Sequence, residues 1–454
     1  MSGIPRRHVV TAVALVFGVA AAAWAHTTLV RADPAVNAHV SRPPVELRLE
    51  FSEAVTARTS RIDLVAPDSQ RLALVLRGDT ANAKILVADV PPLTVSGPYR
   101  VEWRLVGPDG HAVTGRYVFT IDTIPRTSLV DSVPAEQSPT PAEEIGQTSA
   151  GALFPLAVRF LSFLSMIVVI GSVAFAVFVL PTATRSGSDV LSDFRLRSES
   201  RLHSFTVAGA WLLLVLAVVR LTSHAVLLSG SLGALRLRDV ADLVMGSTFG
   251  RGWLLLVATV TVLLIRLRSS RPVQWRSLVG VVVALAISAS FLGHPAAVPD
   301  VPLLAMSLDA VHVLAAGGWT GGILMLTFAA LPQLVTVPAS DRVELARGLL
   351  RSFTPLALSC AAVLAVTGAA GAWLQLRELG LVLGSEYGLM LVRKLVFVVI
   401  IAALGAYHWR VVQPAISSDR SAARLRTSLA IDAAFVLLVL VATALLTGTA
   451  PPVR

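Results

Sequence analysis

The chain has 454 residues, 55% of them hydrophobic and only 15% charged. A soluble domain carries roughly a quarter charged residues, so an ordinary soluble protein is excluded, as is disorder over most of the length. The formal net charge is +10, but the basic residues fall mostly in short segments between apolar runs, which sets nucleic-acid binding aside in favour of membrane orientation.

The chain opens with a pattern expected of a secretory signal over residues 1–25. Arg6, Arg7 and His8 precede an apolar run at 9–23, and Ala23-Trp24-Ala25 is a small-x-small cleavage site. Cleavage after Ala25 makes His26 the first mature residue.

Residues 26–122 predict an all-β sandwich of Ig-like or Greek-key type. Val45-Glu46-Leu47-Arg48-Leu49-Glu50-Phe51 alternates apolar with charged residues, and Tyr99-Arg100-Val101-Glu102-Trp103-Arg104-Leu105 repeats the pattern. Residues 71–76 and 116–121 do so more briefly. A period of two marks strands with one buried face. Ala66-Pro67-Asp68, Ser96-Gly97-Pro98 and Pro108-Asp109-Gly110 punctuate them as turns. About six or seven strands are expected on this spacing.

This segment holds His26, His39 and His111 and contains neither Met nor Cys. Its nitrogen and carboxylate donors suit Cu(II) or Zn(II) rather than Cu(I). At a mature N-terminus, the α-amine and imidazole of His26 can chelate one ion together. Asp109 and His111 are two apart, so on an extended segment both face one way. Together they offer a tetragonal three-nitrogen, one-oxygen set of the kind Cu(II) prefers. The plainer reading is that Asp109-Gly110-His111 is a common turn. His39 reads as a surface residue.

At these residues a resemblance enters. His26-Thr27-Thr28-Leu29, Ala32-Asp33-Pro34-Ala35, Leu47-Arg48-Leu49-Glu50-Phe51-Ser52-Glu53 and the stretch from Tyr99 through Pro108-Asp109-Gly110-His111 to Gly115 resemble the copper-resistance protein family CopC. The resemblance implies a β-sandwich whose Cu(II) ligands are the mature N-terminal His and an Asp-x-His pair, here His26, Asp109 and His111. Many members carry a Met-rich Cu(I) site as well; this segment lacks one.

Residues 123–150 predict an extended linker, with Pro125, Pro134, Pro139 and Pro141 among Ser, Thr, Glu and Gln. Residues 151–454 then predict an all-α bundle of eight transmembrane helices. Apolar runs lie at about 153–180, 204–229, 252–265, 277–293, 302–330, 353–375, 388–408 and 427–449, and most approach the length of a span. If the first helix enters from outside, the inner loops hold the arginine clusters at 185–201, 266–276, 342–351 and 410–426. The outer segments hold Arg236, Arg238, Arg251, Arg377 and Arg454. The positive-inside rule thus agrees with the export signal. The expected location is a bacterial cytoplasmic membrane, with the N-terminal domain extracytoplasmic.

Gly293-His294-Pro295-Ala296, the segment Leu308-Asp309-Ala310-Val311-His312 through Gly317-Gly318-Trp319-Thr320-Gly321-Gly322, Arg351-Ser352-Phe353 and Tyr387-Gly388-Leu389-Met390-Leu391-Val392-Arg393-Lys394 resemble CopD, the membrane partner of CopC. The two resemblances together cover nearly the whole chain in fused order.

Ionisable residues inside a membrane are functional candidates by default. His224, His294, Met306, Asp309 and His312 all fall toward the outer leaflet and outline a copper path, for Cu(I) in particular. Asp309 has three readings: it orients His312, pairs with Lys394, or pairs with Arg220. Against these stand plainer roles: Met306 and Met390 as packing residues, His224 as a cap, His203 and His408 as interfacial groups, Cys360 as inert core. Asp432 is a release-side acid candidate. Gly317, Gly318, Gly321 and Gly322 read as sites of close helix packing.

No nucleophile elbow or phosphate loop is present, and no catalytic residues are expected. The leading expectation is a membrane protein that captures Cu(II) outside and moves copper across the bilayer, in uptake and resistance, with copper ions, lipid and extracytoplasmic copper chaperones as partners. Two alternatives remain: a cupric oxidoreductase with haem between His224 and His312, and a copper sensor or scaffold that passes no ion.

Overall fold

Strand alternation decides the first domain. In β3 (Glu46–Phe51) every second side chain is buried, with Leu47, Leu49 and Phe51 inside and Glu46, Arg48 and Glu50 outside. The structure, a computed structural model, describes residues 28–52, 54–107, 112–122, 149–185, 188–269, 272–293, 295, 301–376, 380–415 and 419–449. Its strands are β1 (Leu29–Asp33), β2 (His39–Val40), β3, β4 (Ser60–Val65), β5 (Arg71–Ala73), β6 (Val75–Gly78), β7 (Ile85–Asp89), β8 (Gly97–Val106) and β9 (Ala112–Ile121).

They form two sheets, in the orders β1-β3-β7-β6 and β2-β9-β8-β4-β5. The facing sides bury Leu47, Phe51, Ile62, Leu64, Val101, Trp103 and Phe119 in one core. The Tyr99 hydroxyl donates to the Val95 carbonyl at 2.7 Å, which fixes the start of β8. More strands form than alternation suggests because β2 is two residues long and the run at 71–76 breaks at Leu74, whose N–H donates to Ile62 instead.

The rest is helical. The main helices are α1 (Ser149–Ala174), α2 (Asp189–Ser229), α3 (Leu237–Gly246), α4 (Thr248–Ser269), α5 (Val279–Ser290), α6 (Pro302–Ala316), α7 (Ala339–Leu376), α8 (Glu386–Tyr407) and α9 (Asp419–Leu446). Among the described residues, 7 helical stretches are long and apolar enough to cross a membrane. The eighth expected span corresponds to a shorter apolar helix, Trp275–Ser290. The polar start of α2 is stitched by i,i+4 pairs, Arg195–Glu199 at 2.8 Å and Arg197–Asp193 at 3.0 Å.

The spans are interrupted by π-helical turns at Phe175–Val179, Gly317–Gly321, Leu326–Ala330 and His408–Val412. At Gly171 and Gly321 the backbones of α1 and the second of these turns touch, and a Cβ on either would collide with the other. Small residues here let the helices close without a lipid-filled gap.

The sandwich packs directly on the bundle. Val106, at the end of β8, shares a small core with Ala225, Leu228, Leu243 and Phe249. Beside it, the Arg104 guanidinium lies over Gly230, the left-handed cap of α2 at φ 86°. A side chain there would be strained and would strike Arg104. The amphipathic helix α3 that completes this seam is too short and too polar to register among the apolar runs.

Candidate functional site

The expected capture residues His26, Asp109 and His111 lie outside the described residues, as does His294. What flanks them is fixed. The Thr28 N–H donates to Ser52 Oγ at 2.9 Å, and the Ser52 N–H donates to the Thr28 carbonyl at 2.9 Å. Leu29 pairs with Phe51. Phe51 meets Trp103 edge-on, with ring centroids 6.2 Å apart. The β8–β9 ladder continues from Trp103 to the pair Val106–Ala112. The start of β1 and the tip end of the β8–β9 hairpin therefore occupy the same end of the sandwich. Among the described residues, Trp103 Nε1 and the Tyr117 hydroxyl, buried near it, have no hydrogen-bond partner, and burial raises the Tyr117 phenol above its ordinary pKa. His39 is apart from this end: it pairs with Asp122 at 2.6 Å on the surface.

This end faces the bundle. Phe249, in the seam beneath Val106, stacks on His224 with centroids 4.6 Å apart and 16° between planes. The Arg220 guanidinium lies 5.5 Å from the same Phe249 ring. His224 Nδ1 is 2.7 Å from the Arg220 carbonyl. A carbonyl accepts only, so Nδ1 carries the proton. His224 is thus not a helix cap; it packs against Phe249 in the ground on which the sandwich stands.

Deeper in the bundle, α6 presents His312. Its Nδ1 is 2.9 Å from Thr367 Oγ1 on α7. The Thr367 hydroxyl has one proton and donates it to the Val363 carbonyl at 2.7 Å. It must therefore accept from His312, which fixes the proton on Nδ1 and leaves the Nε2 lone pair open. Nε2 has no hydrogen-bond partner among the described residues. Gly368 lies 3.5 Å from Cε1 by its would-be Cβ, so the ring is closely held on that side as well.

Asp309, one turn earlier on α6, does not serve His312, whose Nδ1 is already taken by Thr367. Its carboxylate lies near Ser290 on α5 and Lys394 on α8, with Tyr387 nearby. Of the three readings of Asp309, the charge relationship with Lys394 is the one the structure contains, without closure to a direct ion pair. Arg220 instead reaches the Leu292 carbonyl at 3.5 Å. Met306 is half-buried on the same helix, and Met390 accepts from Arg393 at 3.5 Å. The two candidate haem ligands sit in separate settings, His224 against Phe249 of α4 and His312 against Thr367 of α7.

The opposite end of the bundle holds a second polar centre. His408, which the sequence places at the interface, is buried. Its Nδ1 is 3.0 Å from Asp432 Oδ2 and its Nε2 is 2.7 Å from Ser428 Oγ. Asp432 Oδ1 is buried with no partner among the described residues. The π turn that begins at His408 rotates this ring off the regular helical register and toward α9. His203 joins α2 to α4 through the Leu267 carbonyl at 3.3 Å. Cys360 is half-buried, against Gly318. Among the described residues, no three His, Cys, Asp or Glu side chains gather as a metal cage.

Sequence reasoning missed Thr367 and Ser290, because a lone hydroxyl residue in an apolar run looks like one that bonds its own helix. Both do so, and Thr367 also serves α6 by accepting from His312.

Comparison with known proteins assigns the same segments. A model described as the CopC domain matches residues 29–122. The copper resistance protein D-like N-terminal domain matches 150–303, and copper resistance protein D matches 347–446. The copper transport protein CutJ of Bacillus subtilis is 23% identical over 400 residues, an alignment covering 85% of this chain and 68% of that protein. Copper resistance protein C of Escherichia coli is 32% identical over 116 residues, 24% of this chain and 90% of that protein. The crystal structure of CopC from Methylosinus trichosporium OB3b is 31% identical and aligns with TM-score 0.21, covering 23% of this chain and 100% of that one.

Proposed function

The chain belongs to the copper resistance family that joins a CopC domain to CopD, and on that premise we propose that it captures Cu(II) outside the cytoplasmic membrane and passes copper inward through its own bundle. His26, through its α-amine and imidazole, forms the capture site with Asp109 and His111. His224 and His294 form the entry, and His312 receives the ion at Nε2, with Met306 beside the path. Copper is cargo here, held by few donors at each station. Single imidazoles suit transfer better than storage, because an ion with few protein ligands leaves readily.

The observation that carries this reading is the seam. Val106 lies three residues before Asp109 and is packed on the helices whose Phe249 stacks on His224. The described residues that bracket the capture loop, Val106 and Ala112, therefore lie at the end of the sandwich that meets the bundle. The location of the sandwich outside the membrane rests on the signal pattern and the arginine bias of the loops.

Radiocopper uptake into inverted and right-side-out vesicles tests the reading. Uptake by wild type in one orientation, reduced in His312→Ala at equal expression, is the expected result. Equal uptake by both, or none above empty vesicles, removes the transport role.

A further inference from the structure

At the end of the bundle away from the sandwich, the first span and α7 border an open cleft of about 510 Å³. One wall is Phe178 and Thr182, from the π turn Phe175–Val179 and the residues after it; the other is the face of α7 bearing Arg351, Ser352, Leu356 and Ser359. Pro355, also in this wall, sits inside α7. It has no N–H to donate to the Arg351 carbonyl four residues back, so the helix loses a bond at the cavity.

The polar groups of this wall are unused. Neither the Arg351 guanidinium nor the hydroxyls of Ser352 and Ser359 have a hydrogen-bond or ion-pair partner among the described residues. Arg185 and Arg347, at the same end, likewise have no ion pair among the described residues. Asp341 and Glu344 lie at the start of α7 but bind none of these cations, and Arg342 is occupied by the Leu334 and Val337 carbonyls. The rim is therefore cationic and its donors await an acceptor.

Most of the remaining cavity surface is apolar, from Phe178, Pro355 and Leu356. Arg351 and Ser359 are eight residues apart, about 12 Å along the helix, and Arg351 stands at the mouth of an apolar span. Phe178 is 55% exposed and Leu356 lies opposite it. Such a cleft matches an amphiphile with an anionic head and a hydrocarbon tail. A free phosphate would leave the apolar wall bare, and a zwitterionic headgroup would bring an ammonium against the arginines.

We propose that this cavity binds an anionic phospholipid, its phosphate on Arg351 and Ser352 and an acyl chain between Phe178 and Leu356. Basic clefts between membrane helices recognise lipid headgroups in this way. The site has no part in the copper path and does not depend on it.

The test uses the full chain purified in detergent, exchanged into phosphatidylglycerol or phosphatidylcholine, and examined by native mass spectrometry. Wild type should retain phosphatidylglycerol over phosphatidylcholine, and Arg351→Gln should retain about tenfold less, the scale of one lost charge-assisted hydrogen bond. Arg276→Gln, which removes an exposed arginine outside the cavity at the same end, should retain as much as wild type. Phe178→Ala should weaken retention with all charges in place, which keeps the proposal testable if Arg351→Gln does not fold. Equal retention of both lipids by wild type, equal loss in Arg276→Gln, no change in Phe178→Ala, or displacement of the lipid by an equal concentration of glycerol phosphate would each overturn the proposal.

Discussion

Thr367 Oγ1 and His312 Nδ1 are 2.9 Å apart, and the direction of the bond between them is fixed because the threonine proton is spent on the Val363 carbonyl. One hydroxyl on α7 thereby decides which nitrogen of an imidazole on α6 faces the interior. Thr367→Val keeps the shape and removes the acceptor. Copper uptake should fall about 10–100-fold, the usual cost of losing the group that orients a ligand imidazole, while Thr367→Ser should retain most of it. Radiocopper uptake at matched expression measures both.

The seam gives a second prediction. Val106→Asp places an unpaired carboxylate among Ala225, Leu228, Leu243 and Phe249. Cu(II) binding to the full chain should persist, because the capture residues are untouched, while uptake should fall roughly tenfold from misplacement of the loop. Loss of Cu(II) binding together with uptake would mean that the seam supports the sandwich and not the transfer.

Asp432 and His408 form a buried pair at 3.0 Å. Removing one partner of such a pair strands the other, at about 3–5 kcal/mol. Asp432→Ala should therefore lower the unfolding midpoint in detergent sharply. The double variant Asp432→Leu with His408→Leu should recover much of that loss, since an apolar pair needs no partner. A midpoint unchanged in Asp432→Ala would show that water reaches the pair.

The sandwich has its own acid limit. Backbone N–H groups of Ala81 and Asn82, with the Arg48 guanidinium 2.5 Å away, hold the Asp79 carboxyl below its ordinary pKa of 3.8. A lowered folded-state pKa means stability present above the unfolded value and lost as the pH falls through the folded one. Thermal scans of wild type should steepen below about pH 4, and Asp79→Asn should be flatter in that range. Identical slopes would remove Asp79 from the acid response.

One alanine inserted before His26 in the exported protein should separate the α-amine from its imidazole. Cu(II) affinity should drop and the EPR spectrum should lose the signature of one nitrogen. An unchanged spectrum would end the N-terminal chelate, whatever the bundle does.

Much of this architecture was legible because its signals are periodic. β3 alternates residue by residue, and β8 does the same from Tyr99 to Leu105, so one buried face is written into each. The long apolar runs likewise announce the spans, though the run at 277–293 overstated a short helix. The harder features are pairings between distant segments. Nothing near His312 in sequence points to Thr367, 55 residues away. Nothing near His408 shows that a π turn will bury it against Asp432, and its place near an arginine-rich loop suggested the opposite. The seam was hidden for a third reason: Val106 looks like any other inward strand residue until α3 closes over it.

On the proposed reading, the contact of Val106 and Arg104 with the top of α2 decides what kind of carrier the sandwich would be. A domain bolted to its own entrance is a poor courier: it cannot circulate among several receivers, and each copy would serve one doorway. Copper brought by another molecule must travel the whole way to it, and the last leg is a matter of reach, with no diffusive search between loading and entry.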